Sequence, residues 1–161
     1  PFNKIPVLKN SETGKSYFES GAILIYLANV SEQFYGVDKD LTNQWLMAQM
    51  GYIGPMIGQH HQFHYYHPGK SKFGEDRYFK ITKTIYENLN SHLSNHDYLA
   101  EDYTIADIAT FPWIARHDIH DIGLHHYPHL CNWYKIISQR PAVVRGYDLF
   151  KKGNKIPSLL S

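Results

Sequence analysis

Phe18-Glu19-Ser20-Gly21-Ala22-Ile23 sets an acid and a hydroxyl where a short strand gives way to a helix. Ser20 is suited to the N-cap, and Gly21 and Ala22 open the first turn without bulk. The unpaired N–H groups of that helix start then attract a carboxylate. Glu19 beside them suits an ammonium. The pair fits an α-amino acid head group, whose two opposite charges need partners close together. Read alone, the same residues more readily describe an ordinary capped helix start.

Working outward, residues 5 to 8 and 16 to 18 read as two short strands. Lys9-Asn10-Ser11-Glu12-Thr13-Gly14-Lys15 between them is rich in turn formers, so the unit is a hairpin. From Ser20 to about Asn29, Ile23, Leu24 and Leu27 recur at helical spacing, and residues 30 to 38 break the pattern. A domain boundary belongs there, with residues 1–33 in one unit and 34–161 in the next.

The second unit reads as helix throughout. A pattern from Asp40 to about Phe63 carries Leu41, Trp45, Ala48, Ile53 and Met56, with Pro55 set to kink it. Gly51, Gly54 and Gly58 form a bare stripe along it. That stripe either admits another helix or marks local flexibility around the proline. A one-sided apolar helix spans about Glu75 to Leu93. Thr104-Ile105-Ala106-Asp107 then spells a capping box with Asp in place of Glu, and Tyr103 is placed to staple onto Ile108. The helix it starts, Ile105 to about Arg116, is apolar nearly all round and must lie at the centre. Another begins near Pro128 and runs to Gln139, and Arg140-Pro141 starts a short last one.

Composition narrows the function classes. Sixteen Lys and Arg against fifteen Asp and Glu give +1, too balanced for a nucleic-acid footprint. The longest apolar run, Ala22 to Ala28, is far short of a membrane span, and a cytoplasmic location is expected. A single cysteine, Cys131, leaves no internal disulfide or thiolate metal cage, and it reads as an inert helix residue. His60, His61, His64 and His67 have spacings that gather imidazoles on one helix face. With no carboxylate or cysteine among them they read as exposed polar residues near a cleft mouth, and no metal site is expected.

The order of these features carries a resemblance. Lys4-Ile5-Pro6-Val7-Leu8, the hairpin, Glu19-Ser20-Gly21-Ala22-Ile23, a linker, a helical unit and Thr104-Ile105-Ala106-Asp107-Ile108-Ala109 together resemble a cytosolic glutathione transferase. Gly54-Pro55-Met56-Ile57-Gly58-Gln59, Arg77-Tyr78 and Phe111-Pro112-Trp113 are similar to the bacterial and fungal branch related to the yeast prion-forming nitrogen regulator. Its bacterial members include glutathione-dependent disulfide-bond reductases. The implied fold is mainly α with a small α/β part: a partial thioredoxin-like domain, hairpin plus helix, followed by an all-helical domain.

The resemblance implies glutathione as cosubstrate, a small electrophile or disulfide as its partner, and a homodimer, which the glycine stripe permits. Pro6 resembles the family's cis-proline, with Ile5 presenting backbone groups to the cysteinyl moiety and Lys4 reaching the glycyl carboxylate. Glu19 and Ser20 resemble the pair that holds the γ-glutamyl end, and Arg77 an arginine that reaches glutathione across the dimer interface. Only Ile5-Pro6 at the family's spacing tips the balance for Glu19 and Ser20 from an ordinary cap toward binding. Gln59, Phe63 and Trp113 are implied to border the electrophile pocket, although core packing explains Trp113 equally well. The sequence starts just before the family's third strand, so the residue that contacts the glutathione sulfur is expected upstream of Pro1. The implied activity is conjugation of glutathione or disulfide reduction with it. A non-catalytic binding or regulatory protein of the same fold is the alternative.

Overall fold

The computed structural model describes residues 2–150 and 152–159. Strands β1 (Val7–Lys9) and β2 (Ser16–Phe18) pair antiparallel, with Val7 opposite Phe18 and Lys9 opposite Ser16. Asn10 makes the turn: its side-chain oxygen accepts the N–H groups of Glu12 and Thr13, both at 2.9 Å, and Gly14 takes a φ of +71°. The Asn10 amide also donates to the Tyr26 hydroxyl at 2.8 Å, tying the hairpin to helix α1 (Ser20–Ser31).

The start of α1 differs from the sequence expectation. Glu19, not Ser20, holds the N-cap position, at φ 66°, and no side chain caps the first turn. One left-handed residue makes the whole turn from strand to helix, so Ser20 already has helical geometry and its hydroxyl is free for other partners. A non-glycine residue in this region is uncommon and costs about 1–3 kcal/mol, which concentrates attention on Glu19.

Helix α2 (Lys39–Ala48) opens on Asp38, whose carboxylate accepts the Leu41 N–H at 2.9 Å. The expected kink at Pro55 takes a different form. The chain passes through a π-helical turn, Gln49–Ile53, before α3 (Gly54–His60), and a second π turn, His61–Tyr66, follows. Proline has no N–H to give, and its ring crowds the carbonyl four residues back. The wider turn ahead of it passes the ladder to i−5, with the Gly54 N–H bonded to the Gln49 carbonyl.

The glycine stripe resolves residue by residue. A Cβ on Gly54 would stand 2.9 Å from the Trp113 ring, and one on Gly58 3.5 Å from it, while Gly51 has nothing within 4 Å. The stripe therefore seats an indole of the same chain, and Gly54 and Gly58 are not open to a second subunit. Gly54→Ala should cost about 1–3 kcal/mol through overpacking. Gly51→Ala should stabilise by about 0.5–1 kcal/mol through helix propensity. Urea denaturation of both variants separates them, and equal effects would contradict the packing.

Helix α4 (Lys72–His92) begins ahead of the expected Glu75, because the Ser71 hydroxyl accepts the Gly74 N–H at 3.1 Å. Helix α5 (Ile105–Ile114) starts at the capping box: Thr104 Oγ1 accepts from the Ala106 N–H at 3.3 Å, and the Asp107 carboxylate accepts from the Thr104 N–H at 3.0 Å. Tyr103 packs edge-on against Phe34 and Tyr98, under the Arg140 guanidinium. Helices α6 (Pro128–Ser138) and α7 (Pro141–Tyr147) follow, and the Asn90 side chain of α4 accepts the Leu130 N–H of α6 at 3.2 Å.

The main core forms where Ile57, Ile85, Tyr86 and Leu89 meet Phe111 and Ile114 of α5 and Leu130, Trp133 and Ile137 of α6. A smaller cluster of Ala28, Leu46 and Ile105, with Leu24, Met50 and Ile108 against it, joins α1 to α2 and α5. The linker is pinned to the same seam, since the Phe34 carbonyl accepts the Ile105 N–H at 2.8 Å. The candidate site opens along this seam. Among the described residues no helix is long and apolar enough to cross a membrane.

Candidate functional site

A cleft of about 380 Å³ runs between Pro6 and the start of α1, which contributes Ser20 and Ile23, and the π turn after α2 with α5, which contribute Gln49, Met50 and Trp113. Among the described residues none that lines it carries a charge. A larger cavity of about 710 Å³ lies under the C-terminal tail, where Tyr134 and Tyr147 face Ile156. It gathers none of the residues expected to act, so the seam is the better candidate despite its smaller volume.

The segment around the hairpin and the start of α1 supplies a set of unpaired polar groups among the described residues. The Ile5–Pro6 peptide is cis, as the resemblance implies, and the Ile5 side chain is 94% exposed. Its N–H and carbonyl make no hydrogen bond among the described residues, so both can serve an extended peptide. Glu19 and Lys4 are exposed and in no ion pair among the described residues. Ser20 Oγ contacts Met50 Sδ at 3.8 Å. With no side chain capping α1, the amides of its first turn remain open to an anion.

Helix α1 comes this close to the π turn after α2 because Gly21 has no side chain: a Cβ there would lie 3.1 Å from Met50. Met50 and Gln49 were not anticipated as cleft residues. Gln49 follows Thr42 and Leu46 and precedes Ile53 on one buried stripe of spacing four, three and four. A glutamine at an apolar position is the signal that picks it out. It is 3% exposed, and its Oε1 has no partner among the described residues. Such a group costs about 1–3 kcal/mol.

Trp113 forms the far wall. Its indole lies over Gly54 and Gly58 and stacks on His61, with centroids 6.1 Å apart and planes 22° off parallel. His61 is not the exposed residue expected: it is 8% exposed, and His60 is fully buried. The reason is His120, which arrives from the turn after α5. Its carbonyl accepts the His60 Nε2–H at 2.9 Å, and its Nε2 lies 2.7 Å from His61 Nε2. Its Nδ1 lies 2.6 Å from the Tyr86 hydroxyl.

Burial pushes the His120 imidazole down to about 2, reinforced by His61, and the His61 imidazole down to about 4. Burial also raises the Tyr86 phenol. All three are therefore neutral near pH 7. The phenol donates to His120 Nδ1, and His120 Nε2–H then donates to His61 Nε2. The chain Tyr86–His120–His61 braces the back of Trp113. Sequence spacing alone missed it because His120 lies far along the chain. No group of three or more His, Cys, Asp or Glu among the described residues is disposed to hold a metal ion.

Six of the nine expected residues do not line the cleft: Lys4, Ile5 and Glu19 lie just outside it in the chain, and Gln59, Phe63 and Arg77 lie elsewhere. Gln59 is exposed on α3. Phe63 stacks on Tyr78, with ring centroids 5.5 Å apart, and lies against Gly74. Arg77 is exposed on α4, its guanidinium 5.9 Å from the Tyr78 ring. Pro6, Ser20 and Trp113 do meet in one space, with Ile5 and Glu19 beside them in the chain.

Residues 53–141 match the family model described as glutathione S-transferase, C-terminal domain. The disulfide-bond oxidoreductase YfcG of Escherichia coli K12 is 40% identical over 151 residues, which is 88% of this chain and 70% of that protein. A glutathione transferase from Pseudomonas putida, solved with one glutathione disulfide per subunit, superposes with a TM-score of 0.80 at 38% identity, covering 89% of this chain and 69% of that one. One from Burkholderia graminis, solved with two glutathione molecules per subunit, gives 0.83 at 38% identity, covering 94% and 69%.

Proposed function

The chain belongs to the glutathione S-transferase family, and from that membership we propose that its seam cleft binds glutathione and that the protein reduces disulfides at the expense of that thiol. The observation that carries the reading is the convergence of Pro6, Ser20 and Trp113 on one uncharged cleft beside the left-handed Glu19. Glu19 takes the γ-glutamyl ammonium, and Ser20 with the open amides of α1 takes its carboxylate. Ile5 pairs its backbone with the cysteinyl residue, while Lys4 meets the glycyl carboxylate.

The chemistry is thiol–disulfide exchange. A glutathione thiolate attacks one sulfur of the substrate disulfide, the S–S bond breaks, and the leaving sulfur departs as a thiolate that takes up a proton. A second glutathione thiolate then attacks the mixed disulfide, releasing the other substrate thiol and glutathione disulfide. A thiol of ordinary pKa near 8.5 is mostly protonated at neutral pH, so a hydrogen-bond donor must favour the thiolate. We assign that donor to the part of the longer relatives that this chain does not span.

The apolar wall of Ile23, Met50 and Trp113 favours a second reading, conjugation of glutathione to a small apolar electrophile. The division near residues 33 and 34, a homodimer in which Arg77 reaches the partner's glutathione, and a cytoplasmic location complete the proposal. Gln59 and Phe63 would then act at the outer margin of the pocket. The exposure of Arg77, with no ion pair among the described residues, supports the dimer reading.

The test is glutathione affinity measured by calorimetry. Glu19→Ala with Ser20→Ala should weaken binding about ten- to a hundredfold, since hydrogen bonds to charged groups contribute about 1.5–3 kcal/mol. Unchanged affinity places the seat elsewhere, and absence of binding by the unaltered protein sinks the reading. Binding without turnover of either a mixed disulfide or a chloronitrobenzene would leave a non-catalytic glutathione-binding protein.

A further inference from the structure

Gln49 sits where the buried stripe of α2 reaches the cleft, and neither end of its carboxamide has a hydrogen-bond partner among the described residues. Leucine or methionine would occupy that position without stranding a polar group. A buried amide oxygen with nothing to bond is expected to have a partner that enters from outside. Its Nε2 lies over the bare Cα of Gly54 beside the Trp113 edge, so the carboxamide and the indole share one stretch of wall. Rotation about the terminal bond, a broad two-fold torsion, brings either end of the amide to the cleft.

Resting on the glutathione reading above, we propose that Gln49 is a specificity residue that reads a neutral amide on the molecule exchanged with glutathione. The preferred substrates are then peptide-like disulfides. A carboxamide offers one acceptor and two donors in a plane, and its natural complement is another amide, which supplies N–H and C=O together. A carboxylate is a poorer complement, because no lining residue carries a positive charge to meet it. An alkyl or aryl group is poorer still, since it would cover the amide and leave it unpaired. Sites built to hydrogen-bond a ligand group discriminate strongly against analogues that lack it.

The experiment compares two ligands that share the glutathione half. Glutathione disulfide carries amides beyond the sulfur, and S-hexylglutathione carries only a chain of methylenes. Dissociation constants are measured by calorimetry for the unaltered protein, for Gln49→Leu and for the unbranched Gln49→Met, which keeps a result in hand if one variant fails to fold. The expected result is a ratio of the two constants that shifts about tenfold or more against glutathione disulfide in both variants, with Tm unchanged or raised. A ratio that stays the same overturns the proposal, whether both affinities hold or both fall. A lowered Tm with equal losses would mean that a bridging water makes Gln49 a part of the fold, and that outcome overturns it too. If the unaltered protein binds neither ligand, the glutathione reading fails and this inference falls with it. If it binds both and only the ratio refuses to move, this inference fails alone.

Discussion

Asp107→Ala is expected to lower the unfolding free energy by about 3–5 kcal/mol, the largest effect of any single substitution considered for this chain. The carboxylate is buried and accepts four hydrogen bonds. Trp133 Nε1–H at 2.8 Å and the Leu99 N–H at 3.0 Å bond to Oδ1, and the Thr104 N–H at 3.0 Å and hydroxyl at 3.3 Å bond to Oδ2. Those donors join the start of α5, the loop before it and the middle of α6. Alanine would strand them away from water, and each buried donor left unmade costs more than the bond nets when formed.

Burial raises the Asp107 carboxyl above its ordinary value even though all four donors pull the other way. The charge is therefore costly to hold, and the site exists for geometry. Asp107→Asn should lose less than alanine but more than Thr104→Ala, because its amide nitrogen would face the Thr104 N–H. Thr104→Ala should cost about 1–2 kcal/mol as the loss of a cap. Urea denaturation checks the order, and a Tm drop of roughly 2–4 °C per kcal/mol accompanies it. An alanine variant no weaker than Thr104→Ala would contradict the hub role.

The second large effect is loss of stability in mild acid. His120, held down to about 2, and His61, held down to about 4, are lower in the fold than the ordinary 6.5. Below pH 6.5 the unfolded chain takes up protons that the folded chain refuses. Stability is therefore complete above that pH and declines as pH falls toward the folded values. His120 alone contributes a slope of about 1.4 kcal/mol per pH unit, or about 2–3 kcal/mol between pH 6.5 and 4.5.

His60 and His117 are shifted the same way by burial and add to the decline. Asp107 opposes it at the acid end, because a carboxyl raised in the fold is relieved as it takes up its proton. Denaturant titrations from pH 7.5 to 4.5 should show the slope, and His120→Gln should flatten it. A variant that keeps the full slope would sink the assignment.

Local signals explain why some elements were legible in advance. Asn10 to Gly14 encodes a turn through side-chain to backbone bonds that depend on no distant residue. Thr104 and Asp107 encode a helix start in the same way. Ser20 misled because hydroxyl-before-helix is a statistical preference, and one left-handed residue at Glu19 was enough to move the boundary. The helix start at Ser71 is not legible in the sequence, because periodicity marks where a helix buries its face and not where its first N–H groups find a partner.

The site divides along the same line. Pro6, Glu19 and Ser20 lie at element ends, where residue type and order point to the proposed chemistry, and they can be named as candidates from the chain alone. Gln49, Met50 and His120 act through neighbours more than twenty residues away or through a change of helical pitch. Even the glycine stripe was ambiguous until its neighbour was known, since nothing in the order of residues says that Trp113 lies over Gly54 and Gly58.

Residue order therefore carries the hairpin, the capped central helix, the family and the residues of the proposed zwitterion seat, because each rests on interactions within a few residues. Packing assigns the rest: which glycines are filled, which histidines lose their charge and which carboxamide is left without a partner. Those properties depend on what else occupies the same space, and burial turns the same imidazole or amide from a solvated surface group into a buried, constrained one.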